Sequence, residues 1–145
     1  MAITFKYANV PRKDGSLRRA PFIPTYIRDK NEKLLKFITL VDSGADTTVI
    51  PKDAAIILGL KEGEKEEQTG GIGGFVRVKT SRMAFQIIGE HEKYNLDVPV
   101  LVLQDPNDDV PILLGRSGFF ENFDITFRQN EEKITLKKIL SKKEY

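Results

Sequence analysis

The sequence predicts a mostly β protein built as one domain. Short apolar runs alternate with Gly, Pro, Asn and Asp, and only brief stretches have the spacing of a helix. A chain of 145 residues is within the usual size of one domain and can bury roughly two-thirds of its unfolded surface. We expect a single domain over residues 1–145, with a core at about 21–123, a closing hairpin at 124–139 and a tail at 140–145 that frays.

The first predicted elements form a hairpin that leads into a short polar segment. Strands at 21–27 and 34–41 flank the turn-forming residues 29–32. A further strand at 47–50 is predicted by its β-branched residues. The hairpin therefore delivers Asp42 at the end of an apolar strand.

A short helix is predicted at 52–58. Pro51 suits the first helical position, and Gly59 suits the left-handed conformation that commonly ends a helix. The loop at 61–67 has four Glu among its seven residues and is expected to be solvated.

The second half of the chain predicts further hairpins. Four glycines among residues 70–74 precede the alternating segment 75–79, which indicates a hairpin with the glycines at its tip. Ser117 is expected to cap a short helix that extends through Phe123. Other strands are predicted at 83–88, 97–103, 112–116, 124–127 and 133–139, with turns at 105–109 and 129–132.

Composition excludes several kinds of chemistry. The chain has no Cys, so it has no disulfide, thiol nucleophile or thiolate metal site. One histidine, His91, is too few for a multi-histidine metal site and argues against a Ser-His-Asp triad. We expect no metal and no cofactor.

Charge and hydropathy give no sign of a nucleic-acid or membrane partner. The net charge is only +2, and the basic pairs at 12–13, 18–19, 137–138 and 142–143 are interpreted as solvated ends of a domain. No apolar run approaches the length needed to span a bilayer, and the first residues lack the pattern of a signal peptide. A cytoplasmic location is expected.

The segment Asp42-Ser43-Gly44-Ala45-Asp46 is the strongest candidate for chemistry. It places a carboxylate at the end of a strand, a hydroxyl beside it and a glycine that permits close backbone approach. Asp-Ser-Gly alone is also a common turn tripeptide. Peptide hydrolysis by carboxylates needs two acids that share a proton, so a chain with one copy of the motif needs an identical partner.

Two other segments narrow the interpretation. Residues 112–116 read as a buried strand that ends in Gly115 and Arg116, and Asp46 is the candidate partner for that cation if it is buried. The alternative is a core strand with an exposed arginine.

The glycines at 70–74 cost conformational entropy on folding, and a mobile lid explains that cost. A phosphate-binding loop is rejected, because no Gly-Lys-Ser/Thr ending or helix follows the glycines.

The segments 42–46, 70–75 and 113–116, in this order, resemble the active-site loop, flap and following strand of retropepsins, the retroviral-type aspartic proteases. The resemblance covers about residues 21–123. It implies a closed β-barrel of the acid-protease type, with a flap hairpin and one or two short helices.

The resemblance also implies roles for individual residues. The catalytic group is Asp42, Ser43 and Gly44, with Ser43 forming an interchain hydrogen-bonded grip. Arg116 and Ala45 support the loop, Arg116 by pairing with Asp46 and bracing the dimer. The substrate-binding residues are Asp46, Val49, Gly70, Gly71, Ile72, Gly73, Val110 and Leu113, with the Ile72 N–H holding a water that bridges to the substrate.

The implied function is that of a homodimeric aspartic endopeptidase. Two Asp42 carboxylates activate a water molecule against an extended polypeptide, with hydrophobic residues around the cut. One alternative is a dimeric peptide-binding module on the same fold that cleaves little or nothing. Another is a weakly associating monomer that acts as a latent protease.

The chain also departs from the viral enzymes. It is longer, with additions between the flap and Gly115 and after Phe123, and Ser43 stands where lentiviral enzymes commonly have threonine. Viral enzymes interleave both termini in the dimer, whereas the lysine-rich tail of this chain is poorly suited to burial. The hairpin at 124–139 is the alternative dimer interface.

Overall fold

The computed structural model describes residues 2–71, 74–106 and 110–140. Of these described residues, 57% are in strands and 8% in helices, which confirms the mostly β prediction. The elements are β1 (Ala2–Lys6), β2 (Ala8–Pro11), β3 (Leu17–Ala20), β4 (Phe22–Arg28), β5 (Leu34–Val41), β6 (Thr48–Ile50), α1 (Lys52–Leu58), β7 (Glu67–Gly71), β8 (Gly74–Ile88), β9 (Lys93–Leu103), β10 (Ile112–Leu114), a 3-10 helix (Phe120–Asn122), β11 (Phe123–Arg128) and β12 (Lys133–Lys138).

Six strands form a closed barrel, as the sequence predicted. Their order is β4-β5-β10-β6-β9-β8, and pairing of β8 with β4 closes the ring. The pairs β5–β10 and β6–β9 are parallel, and the other four are antiparallel. Closure leaves the ring without a free edge within it. The seventh strand of this sheet, β7, pairs only with β8 and extends the sheet outward as a hairpin.

The core fills the barrel because alternate residues of each strand point inward. Ile23 of β4, Ile50 of β6, Val102 of β9 and Leu114 of β10 are fully buried. The helix α1 adds Ala54, Ala55 and Leu58 to the same cluster. Burial of this kind stabilises a domain by roughly 25 cal/mol per Å² of apolar surface.

The helix has the predicted bounds, but its start is corrected in one detail. Gly59 is left-handed, with φ 67°, and its N–H bonds the Ile56 carbonyl as predicted for a terminator. Pro51 is the N-cap and not the first helical residue, because its ψ of 153° is extended. The Pro51 carbonyl accepts the first helical hydrogen bond, from Ala55.

Several predicted strand bounds are wrong. The strands expected at 75–79 and 83–88 form one strand, β8, because the polar residues between them pair through their backbones with 99–101 of β9. The strand β9 begins at Lys93 and not at 97, and β10 spans only 112–114.

Ser117 does not cap a helix. Its N–H donates to the Asp46 carbonyl, Gly118 turns the chain with φ 83°, and the 3-10 helix that follows begins after Phe119. The hairpin at 124–139 is confirmed as β11 and β12, which pair antiparallel.

Residues 2–20 contain three strands that were not predicted. The strand β1 pairs antiparallel with β12, forming a second sheet of order β1-β12-β11. The strands β2 and β3 form a separate hairpin. Arg19 of this hairpin forms an ion pair with Glu132, and the two side chains remain 46% and 42% exposed to solvent.

No helix among the described residues is both long enough and apolar enough to cross a membrane. Residues 141–145 of the predicted tail and residues 107–109 of the predicted turn at 105–109 lie outside the described residues.

Candidate active site

Asp42 is held by the backbone of its own loop and of the neighbouring strand. Its N–H donates to the Leu114 carbonyl at 3.0 Å, and its Oδ1 accepts the Gly44 N–H at 2.9 Å. Its carbonyl accepts the Ala45 N–H at 3.2 Å. The side chain is half-buried. These bonds fix the direction of the carboxylate while one face of the loop stays open to solvent.

The rest of the loop faces outward. Ser43, Gly44 and Asp46 are exposed, and Ala45 is half-buried. A hydroxyl and a glycine backbone that stand free of the barrel are accessible to another chain or to a ligand. The single chain therefore presents these groups on its surface.

A second segment braces the loop from behind. The Arg116 N–H donates to the Ala45 carbonyl at 2.9 Å, and the Ser117 N–H donates to the Asp46 carbonyl at 2.8 Å. The Arg116 guanidinium also contacts the Asp46 carboxylate as an ion pair. The side chains of this pair are 55% and 84% exposed, so the buried arginine considered from the sequence is not found in the single chain.

A hydrogen bond between Gly115 and Thr48 joins the segment that carries Arg116 to the strand that follows the Asp42 loop. Thr48 was not predicted as a site residue. The Thr48 hydroxyl, fully buried, accepts the Gly115 N–H at 3.1 Å. A Cβ at position 115 would lie 2.5 Å from the carbonyl carbon of Thr47, so only glycine fits. In the sequence, the sign of this role is that Thr48 carries a hydroxyl group and begins the strand that follows Asp46.

An apolar surface continues from Asp42 along the outside of the barrel. Leu113 pairs with Val49 on one side and with Leu40 on the other. Neighbouring residues such as Val41 and Leu114 point into the core, so the half-buried side chains of Val49 and Leu113 lie on the opposite face. Asp42 follows Leu40 by two positions and lies on the face of this surface.

Val110 is half-buried and precedes β10, in the segment that leads to Leu113. The structure therefore brings together Asp42, Val49 and Leu113. The described part of the glycine-rich segment lies where β7 ends and β8 begins.

The glycine-rich segment is a hairpin. Gly70 pairs with Phe75 and Gly71 pairs with Gly74. The Phe75 ring, 79% exposed, covers Gly70 so closely that a Cβ there would lie 2.9 Å from the ring. Ile72 and Gly73, both assigned to substrate binding from the sequence, lie outside the described residues.

Ion pairs fix the base of this hairpin. Arg77 of β8 contacts Asp105 at 2.6 Å and Glu66 at 3.0 Å. The hydrogen bond and charge of Asp105, together with Glu66, raise the pKa of Arg77, and the hydrogen bond from Arg77 lowers the pKa of Asp105. Within the described ranges, no group of three His, Asp or Glu side chains is arranged to hold a metal ion.

Comparison with known proteins assigns the family. Residues 28–117 match the family model described as aspartyl protease, a range that holds the 42–46 loop and Arg116. No curated protein sequence matches the chain. Since the family model covers more than half of the chain, the protein belongs to the aspartyl protease family.

A solved structure that covers nearly the whole chain shows the fold. A retropepsin-like aspartic protease from Rickettsia conorii is 20% identical with a TM-score of 0.50, over 94% of this chain and 91% of that one. The EIAV protease, solved in complex with the inhibitor HBY-793, is 25% identical over 67% of this chain and 82% of that one, with a TM-score of 0.45. The protease of simian foamy virus (mac) is 21% identical over 66% and 87%, with a TM-score of 0.42. The fold is that of the retropepsin-like aspartic proteases.

Proposed function

We propose that the protein is a homodimeric aspartic endopeptidase whose active site forms between two copies of Asp42. The observation that carries the proposal is the Asp42 loop. It holds one oriented carboxylate, with exposed Ser43 and Gly44 beside it and an apolar surface leading away from it. The chain contains one such loop, so a symmetric dimer supplies the second acid.

The chemistry follows from the approach of two like charges. Carboxylates held near contact do not both ionise, which leaves one acid and one base; this is a general property of aspartic proteases. The ionised Asp42 removes a proton from a water whose oxygen attacks the peptide carbonyl carbon. The protonated Asp42 gives its proton to the carbonyl oxygen. The Asp42 that took the water proton gives it to the amide nitrogen, and the other Asp42 takes a proton from a hydroxyl of the tetrahedral intermediate. The C–N bond then breaks, which releases the carboxylic acid and the amine.

The remaining site residues position the substrate. The Ser43 hydroxyls tie the two loops together across the dimer, and Gly44 offers its carbonyl to the substrate backbone. Asp46 contacts the substrate main chain, with Arg116 and Ala45 holding it in place. The hairpin with Gly70, Gly71, Ile72 and Gly73 acts as a flap, because its backbone N–H groups reach a substrate without intervening side chains.

The substrate is an extended polypeptide with hydrophobic residues around the cut. This preference rests on the apolar character of Val49, Leu113 and Val110. Extended peptides suit such a site because their main chain pairs with exposed backbone groups while alternate side chains enter pockets.

A peptide-library digest tests the proposal. The native protein is compared with Asp42→Asn, which keeps the shape of the side chain and removes its acid chemistry, and with Asp53→Asn as a control at an exposed carboxylate on α1. We expect the native protein and the control to cleave at hydrophobic sites and Asp42→Asn to lose cleavage by at least about a thousandfold.

Equal cleavage by the native protein and Asp42→Asn contradicts the proposal. Absence of cleavage in both supports the peptide-binding module instead. Statine-type peptides, which imitate the tetrahedral intermediate, give a second readout. They are expected to bind the native dimer at least about a hundredfold more tightly than substrate peptides do.

A further inference from the structure

A cavity of about 480 Å³ lies between the β2–β3 hairpin and the barrel. This volume is within the range of ligand-binding pockets. Its rim carries the side chains of the hairpin. Its apolar wall is formed by Phe22, Ile38, Val110 and Pro111. Among the described residues that line it, only Val110 is shared with the proposed active site.

The cavity lies beside the Asp42 surface. Ile38 is on β5 four residues before Asp42, which directly follows the last residue of this strand. The even spacing places Asp42 in line with the face that carries Ile38. At about 3.3 Å per residue, this spacing corresponds to about 13 Å along the strand. Val110 and Pro111 connect the cavity to β10, which carries Leu113. A peptide extended along this face from the catalytic centre reaches the cavity after about four residues.

The rim of the cavity is cationic. Among the described residues that line it, Arg12, Lys13 and Arg18 are basic and Asp14 is acidic. The Arg18 guanidinium lies 5.9 Å from the centre of the Phe22 ring, a cation–π contact that keeps this charge over the apolar wall. The Asp14 Oδ1 accepts hydrogen bonds from the N–H and the hydroxyl of Ser16. The Asp14 carboxylate is therefore engaged within the hairpin turn.

An apolar wall below a cationic rim suits one kind of ligand. The methylene groups of a glutamate side chain pack on such a wall, while its carboxylate meets guanidinium groups that bind it in a bidentate geometry. A lysine side chain in the same place brings like charges together.

We propose that this cavity is an outer substrate subsite that selects an acidic side chain three to five residues from the cut. The inference rests on the proposed protease function. Because both chains of the dimer contribute a cavity, one subsite lies on each side of the cut.

Kinetics with designed peptides test this subsite. One cleavable hydrophobic core is flanked by Glu, Gln or Lys at each of positions three to five on either side of the cut. We expect Glu at one position to raise kcat/KM about two- to fivefold over Gln, and Lys to lower it by a similar factor, as for a solvent-accessible ion pair. At 1 M salt the preference is expected to shrink towards unity.

Two charge variants locate the effect. Arg12→Glu/Arg18→Glu is expected to reverse the order of Glu and Lys peptides. Arg12→Gln, which leaves the Arg18–Phe22 contact intact, is expected to reduce the preference for Glu and serves if the double variant does not fold. Lys6→Glu/Lys93→Glu changes the net charge by the same amount at exposed positions on β1 and β9 and is expected to keep the native preference.

Equal kcat/KM for Glu, Gln and Lys peptides at every position overturns the subsite, as does a Glu preference that survives in both Arg variants. Failure of the protease function is a separate result. In that case the core peptide is not cleaved, and binding of the same peptides to Asp42→Asn, measured by fluorescence anisotropy, still tests the Glu preference.

Discussion

Two small residues set the shape of the Asp42 loop. The buried Thr48 hydroxyl accepts the Gly115 N–H, and the absence of a side chain at Gly115 lets β10 approach the chain at Thr47. This contact ties the loop to the segment that carries Arg116. The position of the carboxylate therefore depends on residues that take no part in the chemistry.

Thr48→Val is expected to lower the free energy of unfolding by about 1–3 kcal/mol, because the isosteric methyl leaves the Gly115 N–H buried without an acceptor. The rate of peptide cleavage is also expected to fall, because the Asp42 loop loses the Thr48–Gly115 hydrogen bond that holds it. Urea unfolding and kcat/KM are the measurements. Thr48→Ser keeps the hydroxyl and serves as the control, with activity near the native value. Native stability and activity in Thr48→Val contradict this role.

Gly115→Ala is expected to lower the free energy of unfolding by about 3 kcal/mol, because the new Cβ meets backbone atoms that cannot rotate away. The matched control is Gly89→Ala, where a Cβ meets only the Ile3 side chain, at 2.9 Å. Because that side chain can adjust, Gly89→Ala is expected to lower the free energy of unfolding by only about 1 kcal/mol. Both are measured by urea unfolding at one protein concentration. An equal cost for the two variants refutes the explanation.

At the residue scale, the sequence predicts contacts within one segment better than contacts between segments. Asp42 is recognised because its neighbours Ser43 and Gly44 are adjacent in the chain. The Arg116–Asp46 contact was inferred from charge and from the family resemblance, and the structure shows it exposed. The cavity at Arg12 and Arg18 was missed, because a basic cluster in sequence does not reveal the apolar wall that packs beside it.

At the element scale, a polar network ties α1 to the barrel. Lys52 at the start of α1 bonds the Glu62 carboxylate at 2.9 and 3.0 Å, and Gln104 donates to the same carboxylate at 2.8 Å. Burial raises the pKa of Glu62, but these hydrogen bonds and the charge of Lys52 outweigh it, so the pKa lies below the ordinary value. The loop at 61–67 is therefore anchored and not wholly solvated as predicted.

Glu62→Gln is expected to lower the free energy of unfolding by about 1 kcal/mol near neutral pH, a value that allows for the solvent reaching the pair. A lowered folded-state pKa gives stability that is present above the unfolded pKa and is lost as the pH falls through the folded pKa. The gap between the native protein and the variant should therefore close at acid pH.

Denaturant unfolding at a series of pH values between about 7 and 3 measures this gap. Glu64→Gln, at an exposed position in the same loop, is the control and is expected to leave stability unchanged. A gap that stays constant across the series contradicts the assignment.

Elements with strong local signals were predicted well. The helix α1 has the predicted bounds because Gly59 ends it through its left-handed conformation. The strand β8 was read as two strands, because its polar middle is solvated on one side while its backbone pairs with β9. The strand β1 was missed because its partner, β12, lies some 130 residues later, and such pairing leaves no local signal.

At the scale of the whole molecule, one chain completes its barrel and its second sheet but holds only half of the proposed active site. The N-terminal strand β1 pairs with β12 of its own chain, which differs from the interleaved termini that the viral resemblance implies. Ser43 and Gly44, which follow Asp42, are exposed in the single chain. The proposed dimer joins two chains through this loop.

The sequence predicted the closed barrel because the three motif segments occur in the order typical of the family. It could not place the second sheet or the β2–β3 hairpin, since neither belongs to those segments. The dimer stays a prediction that follows from the count of Asp-Ser-Gly motifs and from the chemistry of paired carboxylates.

Mixing native protein with Asp42→Asn tests the shared active site most directly. A fixed amount of native protein is incubated with an equal amount of the variant until the chains exchange, and peptide cleavage is measured. If each active site needs Asp42 from both chains, random pairing lowers the activity to about half, and a larger excess of variant lowers it further. Activity that does not change at any excess, with exchange verified by mass-labelled chains, contradicts an active site shared between two copies.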